Sequence, residues 1–283
     1  MGTRIQGCAA RGPSMKICLC GKGGSGKSTV VALLAAEFRR RDKRVLVVDS
    51  DESNAGLYWM LGLDAPPTPL MELAGGKKSI QRTLRTAFSA SGDYTETPVL
   101  ARQSLRTEDL PPSYVRRDAG VELVCIGKIH QALEGCACPM GVLSREFLKK
   151  LRADPGDVVL VDMEAGVEHF GRGVETSVEG VLVVVEPSLE SVSLAERIRE
   201  LTQGAGAAFA GAVLNKVDSE ATAKHLEEVL GQRGIPSLAS LPLRNEFVRA
   251  GLEGSQVRPG PVQAELSSLV DALVSRLRAV TTG

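Results

Sequence analysis

The chain has 283 residues, which is enough to bury a substantial core, and one large α/β domain is the default expectation. Apolar residues make up 43% and charged residues 24%, a composition that excludes wholesale disorder. Lys plus Arg and Asp plus Glu both number 34, so no overall field points to nucleic acid or to an anionic membrane. We therefore expect no nucleic-acid partner and no membrane partner.

The N-terminal segment is short and lacks the apolar centre that a secretory signal needs. We interpret residues 1–14 as a disordered leader and residues 15–283 as one domain. Six cysteines in a chain of this length are too few for a disulfide scaffold, so they read as reduced thiols. The expected location is the cytoplasm.

Short apolar, β-branched runs alternate with helical patterns along the chain, which is typical of βαβ units. Continuous apolar runs indicate strands covered on both faces. We predict a single doubly wound, mostly parallel sheet of about seven strands with helices on both faces. The predicted strands cover residues 16–20, 45–49, 121–126, 158–162, 181–186, 208–215 and 237–241. The predicted helices cover residues 27–41, 142–152, 189–203, 221–231 and 262–280.

Two segments depart from the regular alternation. Residues 62–120 are rich in proline and polar residues, with helical character only near residues 77–88, and we interpret them as an insertion. The last predicted helix is amphipathic. We expect it to close the sheet by packing on it, with a membrane-surface helix as the alternative.

The run GKGGSGKST at residues 21–29 follows the first predicted strand and begins a helix. It satisfies the phosphate-loop pattern, in which glycines let bare backbone N–H groups approach phosphate oxygens at a helix N-terminus. In this pattern Lys27 binds the β- and γ-phosphates and the Ser28 hydroxyl is a Mg²⁺ ligand. The predicted nucleotide-binding residues of the loop are Gly21, Gly23, Gly24, Ser25, Gly26, Lys27, Ser28 and Thr29.

Lys22 is an unusual residue in such a loop. Lys22 lies so close to the phosphates of its own loop that its ammonium group can reach a γ-phosphate only from outside the loop that binds that phosphate. We therefore predict that Lys22 acts on the nucleotide of a facing subunit, in a homodimer.

Carboxylates end two of the predicted strands, at the sheet edge where a nucleotide would lie. Asp51 is the candidate for positioning the attacking water, and Asp49 for supporting Mg²⁺ or the loop. Asp162 ends another apolar strand, as the carboxylate that holds Mg²⁺ through water does. Gly166, four residues later, would let a loop approach the γ-phosphate.

Asn215 and Lys216 end a further strand, where the base of a nucleotide should lie. The amide of Asn215 can both donate to and accept from a purine edge. The run Asn-Lys-Val-Asp ending at Asp218 is also a guanine-reading pattern, so ATP and GTP both remain open.

Cys136 and Cys138 form a Cys-x-Cys pair flanked by turn residues. Two thiolates can chelate one soft or borderline metal ion but leave a tetrahedral or square-planar site half empty. Two chains would together supply four sulfurs. By contrast, Cys18, Cys20 and Cys125 lie in predicted strands and are expected to be core residues.

The motifs resemble the carbon monoxide dehydrogenase maturation ATPases of the CooC type, within the ParA/MinD-like class with a deviant phosphate loop. The broad class is carried by GKGGSGKST, VLVVDSDESN and DVVLVDMEAG. The narrower family is carried by MELAGGKKSIQ, CIGKIH, GCACPMG, REFLKKL and EAGVEHFGRG, and the resemblance covers roughly residues 16–245.

This resemblance implies a P-loop ATPase that binds ATP and Mg²⁺ and works as a homodimer. It implies that Cys136 and Cys138 of both subunits share one Ni²⁺ or Zn²⁺ ion, and that nickel is delivered to carbon monoxide dehydrogenase. Two other functions stay open at this stage. One is a ParA/MinD-like spatial-organiser switch, and the other is an ATP-gated reductase with a shared iron–sulfur cluster.

Overall fold

The fold is described from a computed structural model of the chain. The structure describes residues 14–52, 54–91, 98–128, 138–167, 173 and 175–281. Apart from residue 14, the predicted leader lies outside these residues.

In the described part of the chain, eight strands form one sheet in the order β3-β4-β2-β5-β1-β6-β7-β8. Every neighbouring pair is parallel except β3 with β4, which is antiparallel. The strands are β1 (Met15–Gly21), β2 (Val45–Ser50), β3 (Arg116–Asp118), β4 (Val121–Cys125), β5 (Val158–Met163), β6 (Gly180–Val185), β7 (Phe209–Val217) and β8 (Ser237–Pro242).

Helices cover both faces of this sheet. They are α1 (Lys27–Arg40), α2 (Leu57–Met60), α3 (Leu70–Leu73), α4 (Lys77–Ser91), α5 (Cys138–Lys150), α6 (Leu189–Gly204), α7 (Glu220–Gln232), α8 (Asn245–Glu253) and α9 (Gln263–Thr281). Buried side chains of α4, α5, α6 and α7 pack on one face, and those of α1, α2, α8 and α9 pack on the other. The predicted doubly wound architecture is therefore confirmed.

The strands of the inner sheet are buried on both faces, which explains their continuous apolar runs. Both β5 and β6 are buried along their whole length. Cys18 and Cys20 in β1 and Cys125 in β4 are buried thiols, as the sequence predicts for core residues.

The sequence prediction of about seven strands is one short. The additional strand, β3, is three polar residues at the sheet edge, and no apolar run marks it. Helix α8 was also not predicted. The closing helix was predicted correctly, because Leu266, Leu269, Leu273 and Leu277 of α9 are buried in the core.

The tract 62–120 contains α3, α4, two short 3₁₀ turns and β3. Helix α4 packs through Ile80 and Leu84 into the same core as α5. Within the described ranges, no helix is both long and apolar enough to cross a bilayer.

Candidate functional site

The phosphate-binding loop joins β1 to α1 at the carboxyl edge of the sheet. Its glycines adopt backbone angles that side chains disfavour, with φ of 147° at Gly21, 79° at Gly24 and 92° at Gly26. A Cβ on Gly21 would lie 2.5 Å from the carbonyl oxygen of Val184 in the neighbouring strand. Glycine at position 21 thus lets the loop leave β1 directly beside β6.

The loop is held from outside by residues at the end of β7. The amide nitrogen Nδ2 of Asn215 donates to the carbonyl of Ser25 at 2.8 Å, and the Lys216 ammonium donates to the carbonyl of Gly24. The ammonium of Lys27 lies within 3.4 Å of the carbonyl oxygens of Gly21 and Lys22. The Lys27 charge is therefore directed into the concave side of the loop.

Ser28 connects the loop to the carboxylate that ends β5. Its hydroxyl donates to Oδ2 of Asp162 at 2.6 Å and accepts from Nδ2 of Asn54 at 2.8 Å. The other oxygen of Asp162, Oδ1, is buried and has no hydrogen-bond partner among the described residues. An orphaned carboxylate oxygen beside a serine hydroxyl fits a site that receives a hydrated Mg²⁺ ion.

Asp49 and Asp51 lie at the end of β2, directly beside β5. Asp49 and Asp162 are opposite each other in the parallel register. The backbone N–H of Asp51 donates to Oδ1 of Asp49 at 3.2 Å, and Oδ1 of Asp51 accepts from the backbone N–H of Asn54 at 3.2 Å. The sheet thus brings the three predicted carboxylates to one place.

Burial dominates the ionisation of Asp162 and Asp49. It raises the pKa of Asp162 to about 7, and the negative charge of Asp49 adds to the effect. Burial likewise raises the pKa of Asp49 to about 6, although the ammonium of Lys128 opposes this shift. Carboxylates that resist ionisation in the nucleotide-free protein indicate a site arranged for added positive charge.

Lys22 points away from its own loop towards acidic residues on another element. Its ammonium lies 2.6 Å from Oε2 of Glu190 at the start of α6, and 3.3 Å from Oε1 of Glu186 after β6. The ion pair with Glu190 is the main reason why the pKa of Lys22 is raised. In one chain, therefore, Lys22 has acidic partners of its own.

A cavity of about 360 Å³ opens beside the loop. Its walls include eight residues that the sequence analysis predicts for the nucleotide site. They are Gly24, Gly26, Lys27, Ser28, Thr29, Asp51, Asn215 and Lys216. Its far end is made by Pro242, Leu243, Arg244, Phe247 and Val248, at the junction of β8 and α8. An apolar end next to a phosphate-binding end suits a purine nucleotide.

Asp218 is not among the residues that line this cavity. Hydrogen bonds from the side chains of Thr222 and Ser219, at the start of α7, lower the pKa of its carboxyl group. Its carboxylate is thus occupied at a helix N-terminus, which does not favour guanine reading.

Gly166 lies beside the loop, with its N–H donating to the carbonyl of Gly21 at 3.4 Å and a φ of 94°. Gly23 is near it, since a Cβ there would be 3.6 Å from Cβ of Ala165. The Gly166 segment therefore lies beside the phosphate loop, and its approach to the γ-phosphate stays a prediction.

A larger cavity, of about 880 Å³, lies away from the phosphate loop and is lined by Lys16, Arg145 and Glu179 among others. The Lys16 ammonium is bonded to the carbonyl oxygens of Leu148 and Leu151. The larger volume thus does not mark the nucleotide site, because Gly24, Gly26, Lys27 and Ser28 of the phosphate loop line the smaller cavity.

The predicted metal pair lies partly outside the described residues. Cys136 lies outside the described residues, and Cys138 is described only as the first backbone position of α5. Among the residues whose placement is described, no group of three or more His, Cys, Asp and Glu side chains could hold a metal ion.

Several site residues were not predicted from the sequence. They are Asn54, Lys128, Glu186, Glu190, Leu243 and Phe247. Asn54 lies in the motif VLVVDSDESN and Lys128 follows a predicted strand, so their positions carried a weak signal. The two glutamates contact Lys22 across more than 160 residues of chain, a contact that no local spacing reveals.

The chain matches a known protein family over most of its length. The model of the CobQ/CobB/MinD/ParA nucleotide binding domain matches residues 17–257. An uncharacterized ATP-binding protein of Methanocaldococcus jannaschii is 40% identical over 92% of this chain and 98% of its own length. The carbon monoxide dehydrogenase accessory protein CooC of Rhodospirillum rubrum is 33% identical over 72% of this chain and 75% of its own length.

Solved structures show the same fold. The cell division ATPase MinD of Pyrococcus furiosus superposes with a TM-score of 0.62 at 21% identity, over 94% of this chain and 99% of its own. MinD of Pyrococcus horikoshii, solved with Mg-ADP, gives a TM-score of 0.62 at 20% identity, over 94% and 96%. With a phosphate loop, converging carboxylates and a family match over most of its length, this chain is a P-loop ATPase that belongs to the CobQ/CobB/MinD/ParA nucleotide-binding family.

Proposed function

We propose that this protein is an ATP-driven, dimeric metallochaperone that binds Ni²⁺ or Zn²⁺ through Cys136 and Cys138 and assists nickel insertion into carbon monoxide dehydrogenase. The observation that carries the proposal is a Cys-x-Cys pair within an ATPase that is 33% identical to a carbon monoxide dehydrogenase accessory protein. The cytoplasm is the compartment that suits reduced thiols and this activity.

The nucleotide half of the proposal is built on the residues around the loop. Lys27 binds the β- and γ-phosphates. The Ser28 hydroxyl is a ligand of Mg²⁺, and Asp162 holds the same ion through water. The magnesium ion supplies charge neutralisation on the phosphates. Asp51 positions the attacking water, a role supported by its place in the lining of the same cavity as Lys27 and Ser28.

The metal half of the proposal rests on incomplete coordination. Two thiolates from one chain fill only half of a four-coordinate site, and a second copy supplies the remaining two sulfurs. Cys136 lies outside the described residues, so the support comes from the sequence and from the relative. Dimerisation would thus complete the metal site.

Lys22 supports the same dimeric state. In the single chain its ammonium is paired with Glu186 and Glu190. In the proposed dimer each Lys22 contacts the nucleotide of the other subunit. Nucleotide binding and metal binding are then coupled through one interface, so each raises the affinity for the other.

The test is anaerobic size-exclusion chromatography of the full chain with Ni²⁺, with and without Mg-ATP or Mg-GTP, followed by metal analysis of each peak. We expect Mg-ATP to shift the protein to a dimer that carries one Ni²⁺ per two chains. The Cys136→Ala, Cys138→Ala double variant should lose the metal and keep nucleotide binding. Cys125→Ala, which removes a buried thiol of β4, is the matched control and should keep the metal.

Unchanged metal content in the double variant would show that the Cys-x-Cys pair is not the site. A brown protein that loses its colour in the double variant would indicate an iron–sulfur cluster and a reductase instead. A dimer that forms with Mg-ATP but carries no metal would support the ATPase switch and contradict the metallochaperone function.

A further inference from the structure

Lys128 is a largely buried cation at the carboxylate cluster, three residues after the end of β4. Its side chain is only 14% exposed, and its ammonium lies 2.7 Å from Oδ2 of Asp49. The same ammonium donates a second hydrogen bond to the backbone carbonyl of Asp51. None of the roles assigned above to the phosphate loop or to Asp162 uses this lysine.

These contacts close a ring of three hydrogen bonds. Oδ1 of Asp49 accepts from the backbone N–H of Asp51, and Oδ2 of Asp49 accepts from Lys128. Lys128 then donates to the carbonyl of Asp51. Both backbone polar groups of Asp51 are therefore fixed, one by Asp49 and one by Lys128, so the backbone on either side of the Asp51 Cα cannot rotate without breaking the ring.

The charge of Lys128 matters in this ring because its surroundings are acidic and poorly hydrated. Asp49 and Asp51 are 4% and 8% exposed, and Asp162 is fully buried. Hydrogen bonds to charged groups are stronger than neutral ones, and the low local polarisability strengthens them further. A contact made by an ammonium therefore holds the Asp51 backbone more firmly than a neutral donor would.

We propose that Lys128 is a positioning residue for ATP hydrolysis, which fixes the Asp51 backbone so that the Asp51 carboxylate is aimed at the attacking water. The inference rests on the proposed role of Asp51 in positioning that water. Lys128 itself lines no part of the nucleotide cavity, so its removal acts on the orientation of Asp51 and not on nucleotide contacts.

A purely structural role would give a different result, and the chain offers a matched control. Lys150 in α5 is 11% exposed and makes the same pair of contacts, to Oε1 of Glu146 and to the carbonyl of Leu100. It lies in the wall of the other cavity, away from the phosphate loop. Removing either ammonium leaves a largely buried carboxylate without its cationic partner and costs stability, but only Lys128 contacts Asp51.

The experiment compares Lys128→Met, Lys128→Gln, Lys150→Met and Asp51→Ala in the full-length protein. Steady-state ATPase activity gives kcat and KM, titration with a fluorescent ATP analogue gives Kd, and thermal melting gives stability. We expect both Lys128 variants to lower kcat about 10- to 100-fold, since a misplacement of about 1 Å can cost that much, with Kd for nucleotide within about threefold of the original. Lys150→Met should lower the melting temperature and leave kcat unchanged.

The roles of Lys128 and of Asp51 are tested separately. If Asp51→Ala is inactive while both Lys128 variants keep kcat within about twofold, Lys128 does not position Asp51. If Asp51→Ala keeps full kcat, the role of Asp51 is wrong and the inference falls with it. Lys128→Gln keeps an uncharged donor in the cluster and serves as the folded variant should Lys128→Met not fold.

Discussion

Asp162 is a fully buried carboxyl group in the nucleotide-free protein, and its ionisation has a defined effect on stability. Burial raises its pKa from 3.8 to about 7. Between these two values the folded chain holds a proton that the unfolded chain has released. The folded state therefore binds more protons, and the free energy of unfolding falls as the pH rises through this window.

Replacement of this group gives the first prediction. Asp162→Asn removes the titration and leaves an oxygen that can accept from the Ser28 hydroxyl. The melting temperature of the variant relative to the unmodified protein, both without nucleotide, should increase as the pH rises from 5 to 8. For a protein of this size each 1 kcal/mol corresponds to about 2–4 °C.

Glu37 is the control for this measurement. It is a fully buried carboxylate whose pKa is held at about 2 by hydrogen bonds, first of all from Arg40. Both its folded and unfolded forms are ionised above pH 5, so Glu37→Gln should lower the melting temperature by a constant amount from pH 5 to 8. A pH-independent effect of Asp162→Asn would contradict the prediction.

Asp51 carries the second prediction. Asp51→Ala should lower kcat at least about 100-fold, since the variant can no longer position water, while nucleotide affinity changes little. Single-turnover hydrolysis and a binding titration separate the two quantities. Loss of nucleotide binding together with hydrolysis would show that Asp51 builds the binding site and does not position the water.

At the scale of elements, the connection from β1 to α1 depends on two glycines with different surroundings. Gly21 has a φ of 147°, and a Cβ there would meet the Val184 carbonyl at 2.5 Å. Gly24 has a φ of 79°, and a Cβ there would have no neighbouring atom within 4 Å. A side chain at position 21 would therefore meet both an unfavourable φ and an overlap with the Val184 carbonyl. A side chain at position 24 would meet only the unfavourable φ.

The third prediction follows from this difference. Gly21→Ala should lower the free energy of unfolding by about 2–5 kcal/mol, because the overlap with β6 adds to the unfavourable φ. Gly24→Ala should cost only about 1–2 kcal/mol. Denaturant unfolding without nucleotide measures both values, and equal losses would mean that contact with Val184 is relieved at no cost.

Most elements could be predicted because their sequence signal is local. The inner strands are continuous apolar runs, and the closing helix carries its leucines on one stripe. Strand β3 was missed because its residues, Arg116–Asp118, are polar and form an edge, so pairing with β4 defines it and hydrophobicity does not. Helix α8 was missed because it is short and leaves Leu252 85% exposed.

At the scale of the whole molecule, the site divides into a predictable and an unpredictable part. Asp49, Asp51 and Asp162 could be placed together because parallel strands bring their carboxyl ends to one edge. The contacts of Lys128 and Lys22 could not, since each joins residues that are far apart in the chain. Only the assembled sheet shows that Lys128 meets Asp49, and that Lys22 meets Glu186 and Glu190.

The fourth prediction concerns the step from monomer to dimer. If Lys22 binds the nucleotide of a second subunit, it must first leave Glu186 and Glu190. Glu190→Gln removes the shorter of the two ion pairs and so makes Lys22 easier to release. ATP-dependent dimerisation, measured by analytical ultracentrifugation, should become tighter, by less than about tenfold because the pair is exposed to solvent.

Glu200→Gln is the matched control, since Glu200 lies in the same helix and pairs with Arg197, away from the phosphate loop. Both variants remove one negative charge from α6, so a general charge effect would strengthen the dimer equally in both. A specific effect strengthens it only in Glu190→Gln, and addition of Lys22→Ala should abolish that gain. If Lys22→Ala alone leaves the ATP-dependent dimer unchanged, Lys22 does not act across the interface, and its pairing with Glu190 is only a surface contact.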